Sequence, residues 1–312
     1  IRNLQFKADS PELEDGEALT ARASLTDEDA SVNMYGGLVG MTNSAAPNAE
    51  NSFTATNAYL IFGVNGDKSF GNKPGNYYGN YTFTFNNSVV TANGFKFYED
   101  NGTSTVKFSN SDLLVNGVLM TNDASSNFTF ENSVVLSMAT SNGTNDKNQN
   151  AGVMTLTNTQ FTYSAAFTNV GNLNIGENST FTAPSVLNNG TINFTALDSK
   201  LVTATEGLTI KLDEAYPDHK VVYKDVAYVV VEKVYVAKIG EQGYESFAEA
   251  LDAVENGETI ELLGTEGSEI SKEIDFTEDI EFTITGNAPN YGLPIVTFQN
   301  ATVNIKDATI LI

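Results

Sequence analysis

The chain has 312 residues, 16 Lys plus Arg against 39 Asp plus Glu, a net charge of −23, an apolar fraction of 41% and neither Cys nor Trp. That length suits one large or two ordinary domains with a real core. The missing Cys excludes disulfide staples, thiolate metal sites and Cys nucleophiles, and the acidic field repels nucleic acid and anionic lipid.

The first fifty residues repeat least. Arg2 to Ala8 and Ala21 to Leu25 read as strands, and Tyr35 to Met41 as a Gly-rich bend. This region is expected to be a cap or a looser first turn, because end repeats must close an open edge. The chain starts at Ile1 rather than Met, so removal of an N-terminal piece is expected. Asp27-Glu28-Asp29 offers hard oxygens suited to Ca²⁺ but lacks the spacing of a metal loop, so no metal or cofactor is assigned. Gly63 to Gly79 is a long polar loop ending in Tyr77 and Tyr78, with Tyr81 just beyond. Exposed Tyr rings present a flat apolar face with a polar tip, suited to stacking on sugars. Tyr77, Tyr78 and Tyr81 are therefore the candidate ligand-binding residues.

Residues 82–90 read Thr-Phe-Thr-Phe-Asn-Asn-Ser-Val-Val. Phe83 and Phe85 alternate with Thr, the period of a half-buried strand. Asn87 then suits a tight corner, since Asn tolerates the left-handed backbone region. The phrase recurs with corners at Asn57, Asn110, Asn132, Asn158 and Asn178, a degenerate copy at Ile192 to Leu201, and a further copy around Asn300. A period of 20–30 residues signals a solenoid. The residues predict an all-β parallel β-helix in which Phe85, Phe108, Phe130, Leu156 and Ile175 stack inward. The corner amides are expected to hydrogen-bond along their own column and so rescue buried polar groups. An antiparallel sandwich would alternate similarly but would not need one corner phrase in every repeat. No Pro lies between Pro74 and Pro184, which fits central strands over Tyr81 to Leu212. About six turns fit there at the usual strand spacing.

Tyr216-Pro217 closes this coil, giving a first domain over 1–217. Residues 218–236 read as a β-hairpin connector with its corner at Lys224-Asp225, capping the coil. Residues 237–312 read as a second, incomplete β-helix unit opened by a capping helix. Ser246 and Glu249 form a capping box, and Phe247, Ala250, Leu251 and Val254 share a face. Asn256-Gly257 stops the helix. Strands are expected at Thr259 to Leu263, Ile280 to Thr285, Ile295 to Phe298, Val303 to Ile305 and Thr309 to Ile312. The uncapped ending leads us to expect that the natural chain continues or that something covers this edge.

The run Ala237-Lys-Ile-Gly-Glu-Gln-Gly-Tyr through Glu258-Thr-Ile-Glu-Leu-Leu263 resembles the segment opening β-helix units in large repetitive surface proteins of gut bacteria. Asn172-Leu-Asn-Ile-Gly-Glu-Asn through Asn189-Gly-Thr-Ile-Asn-Phe194 is similar to adhesin and autotransporter passenger repeats. The resemblance, to pectate-lyase-like parallel β-helix adhesins, implies a right-handed coil and an extracellular, cell-surface role. It carries over no functional residues.

Polygalacturonase-like hydrolases would show Asp-Asp, His-Gly and Arg-x-Lys motifs. This chain has no Asp-Asp pair, His219 is followed by Lys220, and its only Arg residues are Arg2 and Arg22. Glu99-Asp100, Asp112 and Glu131 are acids on successive turns that could attack a glycoside, but they read more simply as a solvated face. No catalytic residue is assigned. The expectation is a non-enzymatic, adhesin-like protein, its partners host or dietary glycans or surface proteins, with no nucleic acid and no membrane insertion. The alternatives are a polysaccharide lyase or glycoside hydrolase on the same scaffold, and a purely architectural spacer.

Overall fold

The computed structural model describes residues 24–28, 31–34, 50–62, 70–71, 80–92, 94–97, 103–116, 120–122, 124–138, 148–263, 274–287 and 298–309. The chain divides into two compact units, Ile1–Val231 and Glu232–Ile312.

The first unit is a parallel β-solenoid of about eight turns. A first sheet of nine strands runs from Ser24–Glu28 to Lys211–Leu212. A second sheet stacks eight parallel strands from Ser31–Met34 to Lys200–Val202. A third sheet of six short strands runs from Phe70–Gly71 to Val186–Asn188. Each coil contributes one strand to successive sheets, and every strand lies on the matching strand of the coil before.

The expected inward column is present. Phe85 pairs in register with Phe108, Phe108 with Phe130, Phe130 with Leu156 and Leu156 with Ile175. It extends to Ala55 at one end and Phe194 at the other. All are fully buried, and the Phe85–Phe108 and Phe108–Phe130 rings stack at 4.4 and 5.2 Å. One coil cannot bury its own apolar face, so the cohesion lies between coils.

The corner asparagines behave as expected in backbone and differently in side chain. Asn57, Asn87, Asn110, Asn132, Asn158 and Asn178 all hold φ between 46° and 52°. Asn132 Nδ2 donates to Asn110 Oδ1 at 3.0 Å, and Asn158 Nδ2 to Asn132 Oδ1 at 2.7 Å. These amides are exposed, however, so they rescue no buried group. A Cβ substituent on a left-handed residue is thrown outward at such a bend, away from the core. The residue after each corner faces inward instead. Ser88, Ser111, Ser133, Thr159 and Ser179 are all buried. Each hydroxyl donates to the carbonyl two residues before it, at 2.8–3.0 Å. Most also accept a backbone N–H from the preceding coil, as Ser111 Oγ does from Ser88 N at 2.9 Å. The degenerate copy keeps this hydroxyl and drops the Asn: Ser199 Oγ donates to Ile175 O at 2.6 Å.

The buried asparagine ladder stands at a different corner, where the third sheet returns to the first. Asn150 Nδ2 donates to Asn169 Oδ1, and Asn169 Nδ2 to Asn188 Oδ1, both at 2.8 Å. The same amides reach Asn172 O and Thr191 O of the following coil. The local sequence is Asn-x-Gly each time: Asn150-Ala-Gly152, Asn169-Val-Gly171, Asn188-Asn-Gly190. The glycines are steric. A Cβ on Gly171 would meet Gly152 O at 2.0 Å, and one on Gly190 would meet Gly171 O at 2.1 Å.

The hairpin His219–Lys224 and Ala227–Glu232 closes this unit. Its second strand pairs antiparallel with Lys200–Val202. Tyr228 Oη donates to Thr205 O at 3.1 Å and Tyr223 Oη to Thr203 O at 3.1 Å, so two rings lid the apolar end. The turn is Asp225-Val226, one residue later than expected, with φ of 51° and 56°. Both positive values make the turn that matches the twist of a two-residue hairpin. A β-branched residue there is strained, and Thr203 N, donating to Val226 O at 3.0 Å, holds it in place.

In the second unit the helix is Phe247–Ala253, with Ser246 Oγ accepting from Glu249 N and Glu249 Oε2 from Ser246 N, both at 3.2 Å. Phe247, Ala250, Leu251 and Val254 are buried with Ile260, Leu262, Phe282 and Ile284. Gly257 has φ 87°. The strands Thr259–Leu263, Ile274–Asn287 and Phe298–Thr309 pair in parallel. Two of them are longer than the sequence suggests. Asn300 is not a corner, for it lies inside the strand Phe298–Thr309, opposite a register shift between Asp275 and Ile280. Residues 295–297 and 310–312 lie outside the described residues.

Two outcomes follow. Asn169→Ala removes one ladder bond from each of Asn150 and Asn188, which keep Asn172 O and Gly190 N as partners, and should cost about 2 kcal/mol in chemical denaturation. Asn132→Ala, in the exposed ladder, should cost about 1 kcal/mol, because Ala is strained in left-handed backbone, whereas Asn132→Gly should cost about 0.5 kcal/mol or less. Tyr163 is buried opposite Ser137 in register, and burial pushes its hydroxyl above the ordinary value near 10. The folded chain therefore holds a proton that the unfolded chain releases. The stabilisation is complete below the unfolded pKa near 10 and is lost as pH rises through the folded value. Denaturation midpoints should fall in strong alkali, and Tyr163→Phe should flatten that fall.

Candidate functional site

The coil's outward side chains set what it can touch. On the first sheet, Thr54, Thr84, Lys107, Thr129, Thr155 and Asn174 stand in one register column. Asn193 Nδ2 donates to Asn174 Oδ1 at 2.7 Å, and Asn174 Nδ2 to Thr155 Oγ1 at 3.3 Å. This face is a polar lattice whose amides partly satisfy one another.

The second sheet differs. Its outer side presents Tyr59, Val89, Leu114, Val134 and Leu136, with Met138 at the edge. Tyr59 pairs in register with Val89, and Leu114 with Leu136. Val134 is 53% exposed and Tyr59 47%. Farther along, Thr162, Thr180 and Thr182 continue the face. On its eight parallel strands Asp112 and Lys200 are the charged residues among those described. Alternation explains the strip: in Val134-Val-Leu-Ser137 the inward positions are Val135 and Ser137, so Val134 and Leu136 must face out. The doublets of apolar residues in the sequence carry this signal, but they look like core when read for hydrophobicity alone.

The sequence-predicted residues fall as follows. Tyr77 and Tyr78 lie outside the described residues. Tyr81 belongs to the strand Asn80–Asn86, between Asn51 and Ser104 in register. Glu99, Asp100 and Asp29 also lie outside, while Asp27 and Glu28 are in the strand Ser24–Glu28. Asp112 is on the second sheet and its Oδ1 accepts Val134 N at 3.0 Å. Glu131 is on the first sheet, between Ser109 and Thr157. The structure thus puts these two acids on different faces of successive coils. His219 opens the closing hairpin, its ring edge-on to Tyr216 at 6.4 Å. Among the described residues no group of three His, Cys, Asp or Glu side chains could hold a metal, and no helix is long and apolar enough to cross a membrane.

No protein-family model, no curated protein and no solved structure matches this chain.

If the aliphatic strip is truly outer surface, Val134→Lys should shift stability by about 0.5 kcal/mol or less. Its inward neighbour Val135→Lys should prevent folding, because it buries an unpaired charge. Thermal melts of the two variants compare them directly.

Proposed function

We propose that this chain is a non-enzymatic, adhesin-like coil displayed outside a bacterial cell, and that its second-sheet face holds an uncharged glycan. The observation that supports this reading is the character of that face. A chain with a net charge of −23 presents on the eight parallel strands of that sheet a strip of aliphatic side chains, one Tyr ring and threonine hydroxyls, with Asp112 and Lys200 as the described charges there. A neutral sugar polymer brings C–H faces to lie on aliphatic groups and a ring, and hydroxyls for the threonines. It brings no charge to desolvate. Anionic polymers are disfavoured by the field of the whole chain. The rigid stack of coils supplies a preorganised surface, which lowers the entropic cost of holding an extended polymer.

The test is retention on immobilised neutral glucans and galactans, polygalacturonate and mucin glycans, reading bound protein and released reducing ends together. Retention on a neutral polysaccharide without cleavage is expected. It should change little between about 0.15 and 0.5 M salt, since no ion pair is involved. The double substitution Val134→Lys with Leu136→Lys should weaken it about tenfold or more. Reducing-end release would instead support a hydrolase or lyase, and no retention on any surface would leave an architectural spacer.

A further inference from the structure

Met138 ends the strip at the corner where the second sheet turns toward the third. It is 44% exposed. Its Sδ accepts from Ser164 Oγ of the next coil at 4.0 Å. Both backbones are pinned: Met138 N donates to Val115 O, and Ser164 N to Ser137 O, each at 2.9 Å. Met154 is the internal comparison. It is fully buried and sits in register between Phe128 and Leu173.

We propose that Met138 is a site of reversible, stereoselective oxidation by a peroxide. The sulfur lone pair attacks the outer peroxide oxygen and the O–O bond breaks. One oxygen stays on sulfur as the sulfoxide, and its proton passes to the other, which leaves as water or an alcohol. Sulfur gives up two electrons and the peroxide takes them; the reverse step takes two electrons and two protons from the thiols of a sulfoxide reductase and releases the oxygen as water. The thioether is a weak acceptor, whereas the sulfoxide oxygen is strong and polar. The Ser164 hydroxyl already points at the sulfur, so it is placed to donate to the new oxygen. A sulfoxide has two epimers at sulfur. The Ser164 hydroxyl lies to one side of the sulfur and favours the epimer whose oxygen it holds, so one epimer dominates. Because the side chain is outside the core, the coil stays folded. The consequence for binding rests on the function proposed above: a polar sulfoxide replaces the apolar edge of the strip and weakens its hold on a neutral glycan.

The test treats the folded protein with hydrogen peroxide and follows each methionine by peptide mass mapping. Met138 should gain one oxygen about tenfold or more faster than Met154, with the two rates converging in denaturant. The oxidised protein is then offered separately to the two epimer-specific sulfoxide reductases. One should restore most of Met138, and in the Ser164→Ala variant the two should restore similar shares. Equal oxidation of Met138 and Met154 in the folded protein, or an even epimer mixture with Ser164 intact, overturns the proposal. Glycan retention, measured before and after oxidation with Met138→Leu as the peroxide-insensitive control, reads the consequence separately. A protein that retains no glycan before oxidation sinks the functional reading and leaves the oxidation result to stand or fall by its own two criteria.

Discussion

Each coil must end its first strand, turn, and begin its second without leaving a polar group unpaired against the core. A left-handed asparagine followed by a buried hydroxyl meets that constraint. The asparagine provides the bend, and its own N–H donates to the next coil, as Asn110 N does to Glu131 O at 2.9 Å. The hydroxyl then closes the inner side, taking a backbone N–H from the coil before and giving its proton to a carbonyl. Because these bonds run between coils, the corner also fixes register. A one-residue slip would turn Phe85, Phe108 and Phe130 to solvent. The apolar column supplies most of the cohesion, and the corner decides which residues enter it.

The second return corner works by shape rather than by a special dihedral. Gly171 and Gly190 let successive backbones approach more closely than a Cβ permits. That approach brings buried Asn150 and Asn169 and half-buried Asn188 into a ladder in which each amide donates to the next, while Asn150 Oδ1 at its end accepts no bond. Two kinds of asparagine column thus serve opposite environments. The exposed one follows from backbone preference, and the buried one from hydrogen-bond need.

Much of this was legible in the residues. Alternating Phe and Thr before each Asn located the first sheet, and the recurrence of Asn located the bend, because left-handed backbone is a local preference that survives any packing. The side-chain role was not legible, since whether an amide is buried depends on where the bend throws its Cβ. Ser199 shows what sequence reading missed: its copy lacks the Asn and still closes the corner with a hydroxyl, just as the Asn57 corner lacks the hydroxyl and is followed by buried Ala58. Asn300 shows the converse, the same phrase running straight through a strand where the neighbouring strand is irregular. The Asp225-Val226 turn escaped because valine is disfavoured there, and only the tertiary bond from Thr203 explains its place. The outer face of the second sheet escaped because doublets such as Val134-Val135 read as core, although strand geometry must put one of each pair outside. A fold of this kind carries many activities and implies none. Function is therefore argued from that face and from its chemistry.

The central claim is that successive coils stack in parallel with one residue per coil in each column. The chain has no Cys, so spin labels can be placed at will on the outer column of the first sheet. Lys107→Cys would be paired in turn with Thr129→Cys, Thr155→Cys, Asn174→Cys and Asn193→Cys. The account predicts distances that grow by about 5 Å per coil, reaching roughly 19 Å at the last pair. Distances that fail to rise in that order, or that shorten between distant repeats as antiparallel hairpins would require, would contradict it.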